Sequence, residues 1–175
     1  MNRNVLLTNA ESDPINLFKN WFEEASISEL NDPNAMNLST ISKDLKPSSR
    51  MVLLKDVSQN GFTFYTNHNS KKGKSINENP NVALNFHWKS LLRQVRIEGK
   101  AKKVLTDEAD EYYNSRAEDS KIGAWASSQS SELSSREELE NKIKYYKKKF
   151  ENKKITRPSF WIGYRVEPDL IEFTF

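Results

Sequence analysis

A chain of 175 residues with 36% apolar and 11% aromatic residues can build one hydrophobic core but not two comfortable ones, so a single domain is expected, with residues 1–13 as a flexible lead-in. The excess of 27 Lys plus Arg over 24 Asp plus Glu is too small and too dispersed for a nucleic-acid footprint, and the absence of cysteine excludes disulfides, thiolate metal sites and a cysteine nucleophile. No stretch approaches the ~20 apolar residues of a membrane span, and Met1 to Asp13 has no basic segment followed by an apolar run, so neither a membrane nor an export route is expected and the location expected is cytoplasmic.

Asp13 followed by Pro14 reads as an N-cap with proline at the first helical position. Ile15, Leu17, Phe18, Trp21 and Phe22 then recur at helical spacing, predicting a helix from Pro14 to about Glu29. Short runs rich in Met, Val, Leu and aromatics follow at Ala35 to Ile41, Arg50 to Val57 and Phe62 to Thr66. Turn residues at Pro47-Ser48-Ser49 and Gln59-Asn60-Gly61 separate them, a pattern of antiparallel strands. Ser70 to Asn79 reads as a lysine-rich helix stopped by Pro80, and Val82 to Trp88 and Gln94 to Val104 as two more strands. Thr106, with Asp107 and Glu108 in the first turn, predicts a capped helix reaching about Arg116. Ser134 and Glu137 have capping-box spacing before a charged helix ending near Asn152, and Phe160 to Val166 and Leu170 to Phe175 close the chain as strands. Short strands with interspersed helices and no βαβ alternation favour an antiparallel barrel over a doubly wound sheet.

Five clusters could carry chemistry. Arg50-Met51-Val52-Leu53-Leu54-Lys55 puts cations at both ends of an apolar strand; on a two-residue period the two charges face opposite sides, and a buried strand with charged ends is the plain alternative. Tyr65-Thr66-Asn67 runs into Ser70-Lys71-Lys72-Gly73-Lys74, where hydroxyls and ammonium groups converge on a helix N-terminus suited to a phosphate, unless it is simply a solvated lysine run. Gln94 offers an amide that both donates and accepts towards a heterocycle, or a surface amide. Tyr112, Arg116 and Ser120 recur at intervals of four, with the first two on one helical face and Ser120 just beyond it. An aromatic, a guanidinium and a hydroxyl suit a phosphorylated ring, but an ordinary exposed face explains them equally. Gly123 to Ser131, small and polar around Trp125, permits close backbone approach or is only a loop. His68 and His87 lack a supporting carboxylate pattern, and no metal site is assigned.

The order of these motifs is more informative than any one of them. RMVLLK at 50–55, FYTN at 64–67, SKKG at 70–73, RQVRIEG at 93–99, SR at 115–116, DSKIGAWASSQSS at 119–131, RPSFWIGYRV at 157–166 and IEF at 171–173 together resemble bacterial pyridoxamine 5′-phosphate oxidases, from about Asp13 to Phe173. The resemblance implies a mainly β fold with helices, the FMN-binding split β-barrel with antiparallel, Greek-key-like connections, in a homodimer holding FMN at its interface. It implies FMN contacts at Arg50, Met51, Val52, Leu53, Leu54, Lys55, Tyr65, Thr66, Lys71, Lys72 and Gln94, joined by Gln129 and Ser130 across the dimer. It implies that Lys55, Tyr112, Arg116 and Ser120 hold the phosphorylated B6 vitamer, with dioxygen as the second substrate, and no catalytic side chain beyond these binding groups. Lys71 stands where relatives often have arginine, which keeps the charge but not the planar fork.

Relatives continue past the IEF strand with a tryptophan and an arginine-leucine-histidine-aspartate-arginine segment that meets substrate and FMN. Here Thr174 takes the tryptophan's place and Phe175 is the last residue, while Met1 to Asp13 offers no counterpart to the arginine and tyrosine segment that closes over substrate in many relatives. The expected activity is oxidation of pyridoxamine or pyridoxine 5′-phosphate to pyridoxal 5′-phosphate with release of hydrogen peroxide. The alternatives are a flavin-binding barrel that lacks this activity or acts on another substrate, and a nucleic-acid module using Lys71 to Lys74 and Lys144 to Lys154, against which Glu137, Glu138, Glu140 and Glu151 argue for a solvated helix.

Overall fold

Asp13 starts the first helix as its sequence suggests: the carboxylate accepts the Ile15 N–H at 2.9 Å, Pro14 occupies the first turn, and α1 runs Pro14–Ser28. The structure, a computed structural model, describes residues 13–127, 129, 130 and 132–175. The expected lead-in before Asp13 lies outside the described residues, as do Ser128 and Ser131 of the small polar segment.

Seven strands follow in one sheet, β1 (Ala35–Ile41), β2 (Pro47–Leu53), β3 (Asp56–Ser58), β4 (Gly61–Asn67), β5 (Asn81–Trp88), β6 (Arg93–Lys103) and β7 (Trp161–Thr174), in the order β2-β1-β5-β6-β7-β4-β3. The pairs β1/β2, β1/β5, β3/β4 and β5/β6 are antiparallel. Burial alternates along them as a two-residue period requires: Met36, Leu38 and Thr40 on β1, Val82, Leu84, Phe86 and Trp88 on β5, and Val95, Ile97 and Ala101 on β6 are buried.

The described residues pack as two compact units. The first comprises the chain up to Phe64, Ser75–Lys102 and Tyr164–Phe175. Its core is aromatic: the Phe18 ring meets Phe62 edge-on at 4.8 Å and Phe86 at 5.0 Å, and the Trp88 indole N–H donates to the Pro33 carbonyl at 2.8 Å. The second comprises Tyr65–Lys74 and Lys103–Gly163. In it α3 (Thr106–Ser115), α4 (Glu118–Ala126) and α5 (Arg136–Lys149) enclose Tyr113, Ile122, Ile155 and Trp161. The Trp125 indole donates to the Thr156 carbonyl at 2.9 Å while its ring lies 5.5 Å from those of Tyr146 and Phe150.

Several boundaries differ from the sequence reading. Pro47-Ser48-Ser49 is strand, paired with Ile41-Thr40-Ser39, because β2 lies at the sheet edge, where a missing N–H costs no ladder bond; the break comes instead at Leu54-Lys55. Thr106 is inside α3, whose N-cap position is Leu105, with no side-chain cap. α4 takes in the first part of the small polar segment, Gly123 to Ala126, and carries Ser120, which lies beyond α3 as its spacing suggests. The cap of α5 is shifted by one residue: Ser135 accepts the Glu138 N–H at 3.2 Å, and the Glu138 carboxylate accepts from the backbone and hydroxyl of Ser134. The two closing strands are one, β7. No helix of the described residues is long and apolar enough to cross a membrane.

Candidate functional site

The second unit holds a buried cation among hydroxyls. β4 ends at Asn67, whose carbonyl accepts both the Ser70 N–H at 3.1 Å and the Ser70 hydroxyl at 2.6 Å, a tight turn that delivers the chain into α2 (Lys71–Glu78). Gly73 is required in the first turn, because a Cβ there would collide with the His68 carbonyl. The turn buries Lys72, which is only 6% exposed; its Nζ lies 3.1 Å from Thr66 Oγ1, 3.3 Å from Ser70 Oγ and 3.0 Å from Gln129 Oε1. The same amide oxygen accepts the Thr66 hydroxyl at 2.9 Å and the Asn67 N–H at 3.3 Å. Donors that converge on one oxygen at a helix N-terminus are the arrangement an anion uses. Thus Thr66, Lys72 and Gln129 come together within one chain, Lys71 is exposed beside them, and Ser130 holds a left-handed backbone at φ 66°.

A second grouping in this unit surrounds Arg116, which closes α3 with its N–H donating to the Tyr113 carbonyl at 3.2 Å. The guanidinium carbon lies 4.8 Å from the Trp161 ring centre and 5.7 Å from that of Tyr113, and Nη1 is buried without a hydrogen-bond partner among the described residues. Burial pulls the Arg116 pKa below the usual arginine value, with Tyr112 and Tyr113 opposing. Tyr65 stacks on Tyr112 at 4.2 Å and on Trp161 at 5.0 Å, so Tyr65, Tyr112 and Arg116 share one aromatic assembly. The Tyr113 hydroxyl donates to the Lys121 carbonyl at 2.9 Å, and burial pushes its pKa up to about 12. Ser120 is exposed on α4.

Sequence reasoning assigned no role to Arg157 or Trp161. Arg157 bonds Asp110 at 2.6 Å and the Trp161 carbonyl at 2.7 Å. Arg157 and Trp161 stand in the RPSFW motif, but no spacing rule links that motif to residues of α3.

In the first unit, Arg50 uses its fork within its own sheet: Nη1 donates to the Leu38 carbonyl at 3.0 Å and to Thr40 Oγ1 at 2.9 Å, and Nη2 to Ser48 Oγ at 2.8 Å. Met51 and Leu53 are exposed on β2, Val52 is half-buried and Leu54 is buried. Lys55 is exposed just after β2, at the rim of a cavity of about 480 Å³ whose lining includes Phe22, Asn34, Leu54 and Val57. Gln94 is half-buried on β6, opposite His87 of β5.

Comparison with known proteins follows the same lines. The family model described as pyridoxamine 5′-phosphate oxidase matches residues 22–150, a span that draws on both units. The pyridoxine/pyridoxamine 5′-phosphate oxidase of Pelagibacter ubique is 54% identical over 162 residues, covering 92% of this chain and 78% of that protein. The one of Caulobacter vibrioides is 53% identical, covering 94% of this chain and 74% of that protein. Among solved structures, PhzG from Burkholderia lata, in complex with tetrahydrophenazine-1-carboxylic acid, superposes with a TM-score of 0.88 at 29% identity, covering 97% of this chain and 85% of that one. A pyridoxamine 5′-phosphate oxidase-related, FMN-binding protein from Nostoc punctiforme superposes with a TM-score of 0.71 at 11% identity, covering 97% and 86%, a likeness of fold. With its strand order, its aromatic core and these matches, the chain belongs to the pyridoxamine 5′-phosphate oxidase family of oxidoreductases and has that family's split β-barrel fold.

Proposed function

We propose that this protein oxidises pyridoxamine or pyridoxine 5′-phosphate to pyridoxal 5′-phosphate with FMN as cofactor and dioxygen as oxidant, releasing hydrogen peroxide. The observation that carries the reading is the donor set around Lys72: a buried ammonium, the Thr66 and Ser70 hydroxyls and the first turn of α2 fit the phosphate of a mononucleotide, which a neutral heterocycle alone would not need. In this reading Arg50 to Lys55, Tyr65, Thr66, Lys71, Lys72, Gln94, Gln129 and Ser130 contact FMN. Lys55, Tyr112, Arg116 and Ser120 receive the vitamer. The exposed Met51 and Leu53 on edge strand β2 are consistent with a homodimer, and a cytoplasmic setting fits a cysteine-free chain.

The role of the side chains is to bind and orient. Arg116, whose buried Nη1 has no hydrogen-bond partner among the described residues, suits a phosphate dianion and would fix the ring that it carries. When bound, FMN would supply the two-electron acceptor for the hydride equivalent lost at C4′, with dioxygen as the final oxidant. The alcohol substrate then yields the aldehyde directly, while the amine consumes one water and releases ammonia.

The similarity to PhzG in complex with a tetrahydrophenazine carboxylic acid favours one second reading, a barrel acting on another ring-bearing acid. An aerobic assay of the FMN-loaded chain with pyridoxamine 5′-phosphate, following pyridoxal 5′-phosphate and peroxide together, separates the two. Equal amounts of both products are expected. Bound flavin with neither product would overturn the oxidase reading in favour of the second.

A further inference from the structure

We propose that Trp161 is a positioning residue for the substrate phosphate: its indole face, with the Tyr113 ring, holds the Arg116 guanidinium in one place without occupying its N–H donors. This deepens the reading that Arg116 receives the vitamer and rests on it.

A half-buried arginine is ordinarily positioned by carboxylates or carbonyls. Here the groups flanking the guanidinium are aromatic, Trp161 at 4.8 Å and Tyr113 at 5.7 Å, while Nη1 is buried and unpartnered among the described residues. A ring face attracts the cation without occupying its N–H donors, so the charge is held while those donors stay uncommitted. A carboxylate in the same place would hold the arginine equally well and would compete with the phosphate for those donors.

Trp161 is itself immobilised, as a positioning residue must be. It opens β7, is 7% exposed, donates its backbone N–H to the Pro158 carbonyl at 3.0 Å and accepts Arg157 Nη1 at its own carbonyl at 2.7 Å. Arg157 in turn bonds Asp110 of α3, the helix that Arg116 terminates, and Tyr65 stacks on Trp161 with planes 9° apart. The arginine and the face beneath it are therefore tied to the same helix.

The alternative is that Trp161 only fills the core around Tyr113 and Ile122. Leucine at this position keeps apolar bulk and removes the π face, whereas phenylalanine keeps a smaller face. The test uses the FMN-loaded full chain and measures binding of pyridoxal 5′-phosphate, the product vitamer that carries the same phosphate, by calorimetry, the KM and kcat for pyridoxamine 5′-phosphate, and FMN affinity. Trp161→Leu should weaken vitamer binding and raise KM by about 5- to 30-fold, the range of a partly desolvated cation–π contact, with kcat and FMN affinity within about twofold of native. Trp161→Phe should lose about two- to fivefold, and reads the same quantity if the leucine variant does not fold.

Arg116→Gln separates the two ideas. If it weakens vitamer binding and neither Trp161 variant does, Arg116 is the receptor and Trp161 is packing only, which overturns this inference and leaves the reading of Arg116 intact. If Arg116→Gln binds the vitamer as tightly as native, Arg116 is not the receptor and both fall.

Discussion

Lys72 Nζ lies 3.0 Å from Gln129 Oε1, and the same oxygen accepts from Thr66 Oγ1 and the Asn67 backbone, so residues 63 positions apart at their widest meet at one point. A buried ammonium that shares one oxygen with a hydroxyl and a backbone N–H sits among converging donors, which suits an anion. Replacing it with methionine keeps the length and removes the charge. Lys72→Met should weaken FMN binding by about 10- to 100-fold, the worth of one charge-assisted hydrogen bond, read by quenching of flavin fluorescence on titration. Native affinity in that variant would place the flavin phosphate elsewhere.

Gly61 combines a backbone at φ +124° with a close approach to β7, where a Cβ would collide with the Val166 carbonyl. Gly61→Ala should therefore destabilise the fold by about 2 kcal/mol or more, since the strained φ and the collision add. Urea unfolding followed by tryptophan fluorescence checks it; a shift under ~0.5 kcal/mol would show that the strand relaxes freely.

The caps of α3 and α5 make opposite forecasts. Ser135 accepts the Glu138 N–H, so Ser135→Ala should cost about 1 kcal/mol, whereas Thr106 makes no cap bond and Thr106→Ala should fall within ~0.5 kcal/mol of native. Thermal midpoints of the two variants, measured side by side, decide the matter. A larger loss at Thr106 would contradict the observed helix start.

Burial raises the pKa of both Tyr113 and Tyr164 from 10.0 to about 12, although Arg116 opposes the shift at Tyr113. The unfolded chain releases these protons near pH 10 and the folded chain only near 12. The stability that they contribute is therefore complete below pH 10 and is lost as pH rises from 10 towards 12. The urea midpoint should decline over that window, and Tyr113→Phe should decline less steeply. A parallel slope in the variant would show that Tyr113 ionises normally.

Local chemistry made some elements legible. The Asp13-Pro14 pair located the start of α1, the bounds of β1 agree with the structure, and β4, β5 and β6 lie within a residue or so of the expected runs, because alternating burial on a half-buried strand is written directly into the residue order. The misread elements depend on neighbours. Pro47 belongs to a strand only because β2 is an edge, and Thr106 looked like a cap until the backbone turned one residue earlier.

The sequence by itself determined the family and the strand-rich pattern, since ordered motifs and apolar periodicity need no tertiary information. It also pointed to the hydroxyl and lysine clusters on either side of Asn67. Only the tertiary structure decided which of those groups meet. Thr66, Lys72 and Gln129 share an oxygen, and Arg116 rests on Trp161, through contacts spanning 45 to 63 positions of chain. Such pairings are set by how helices and strands pack, and hydrophobic burial is non-directional, so no local pattern in the chain announces them.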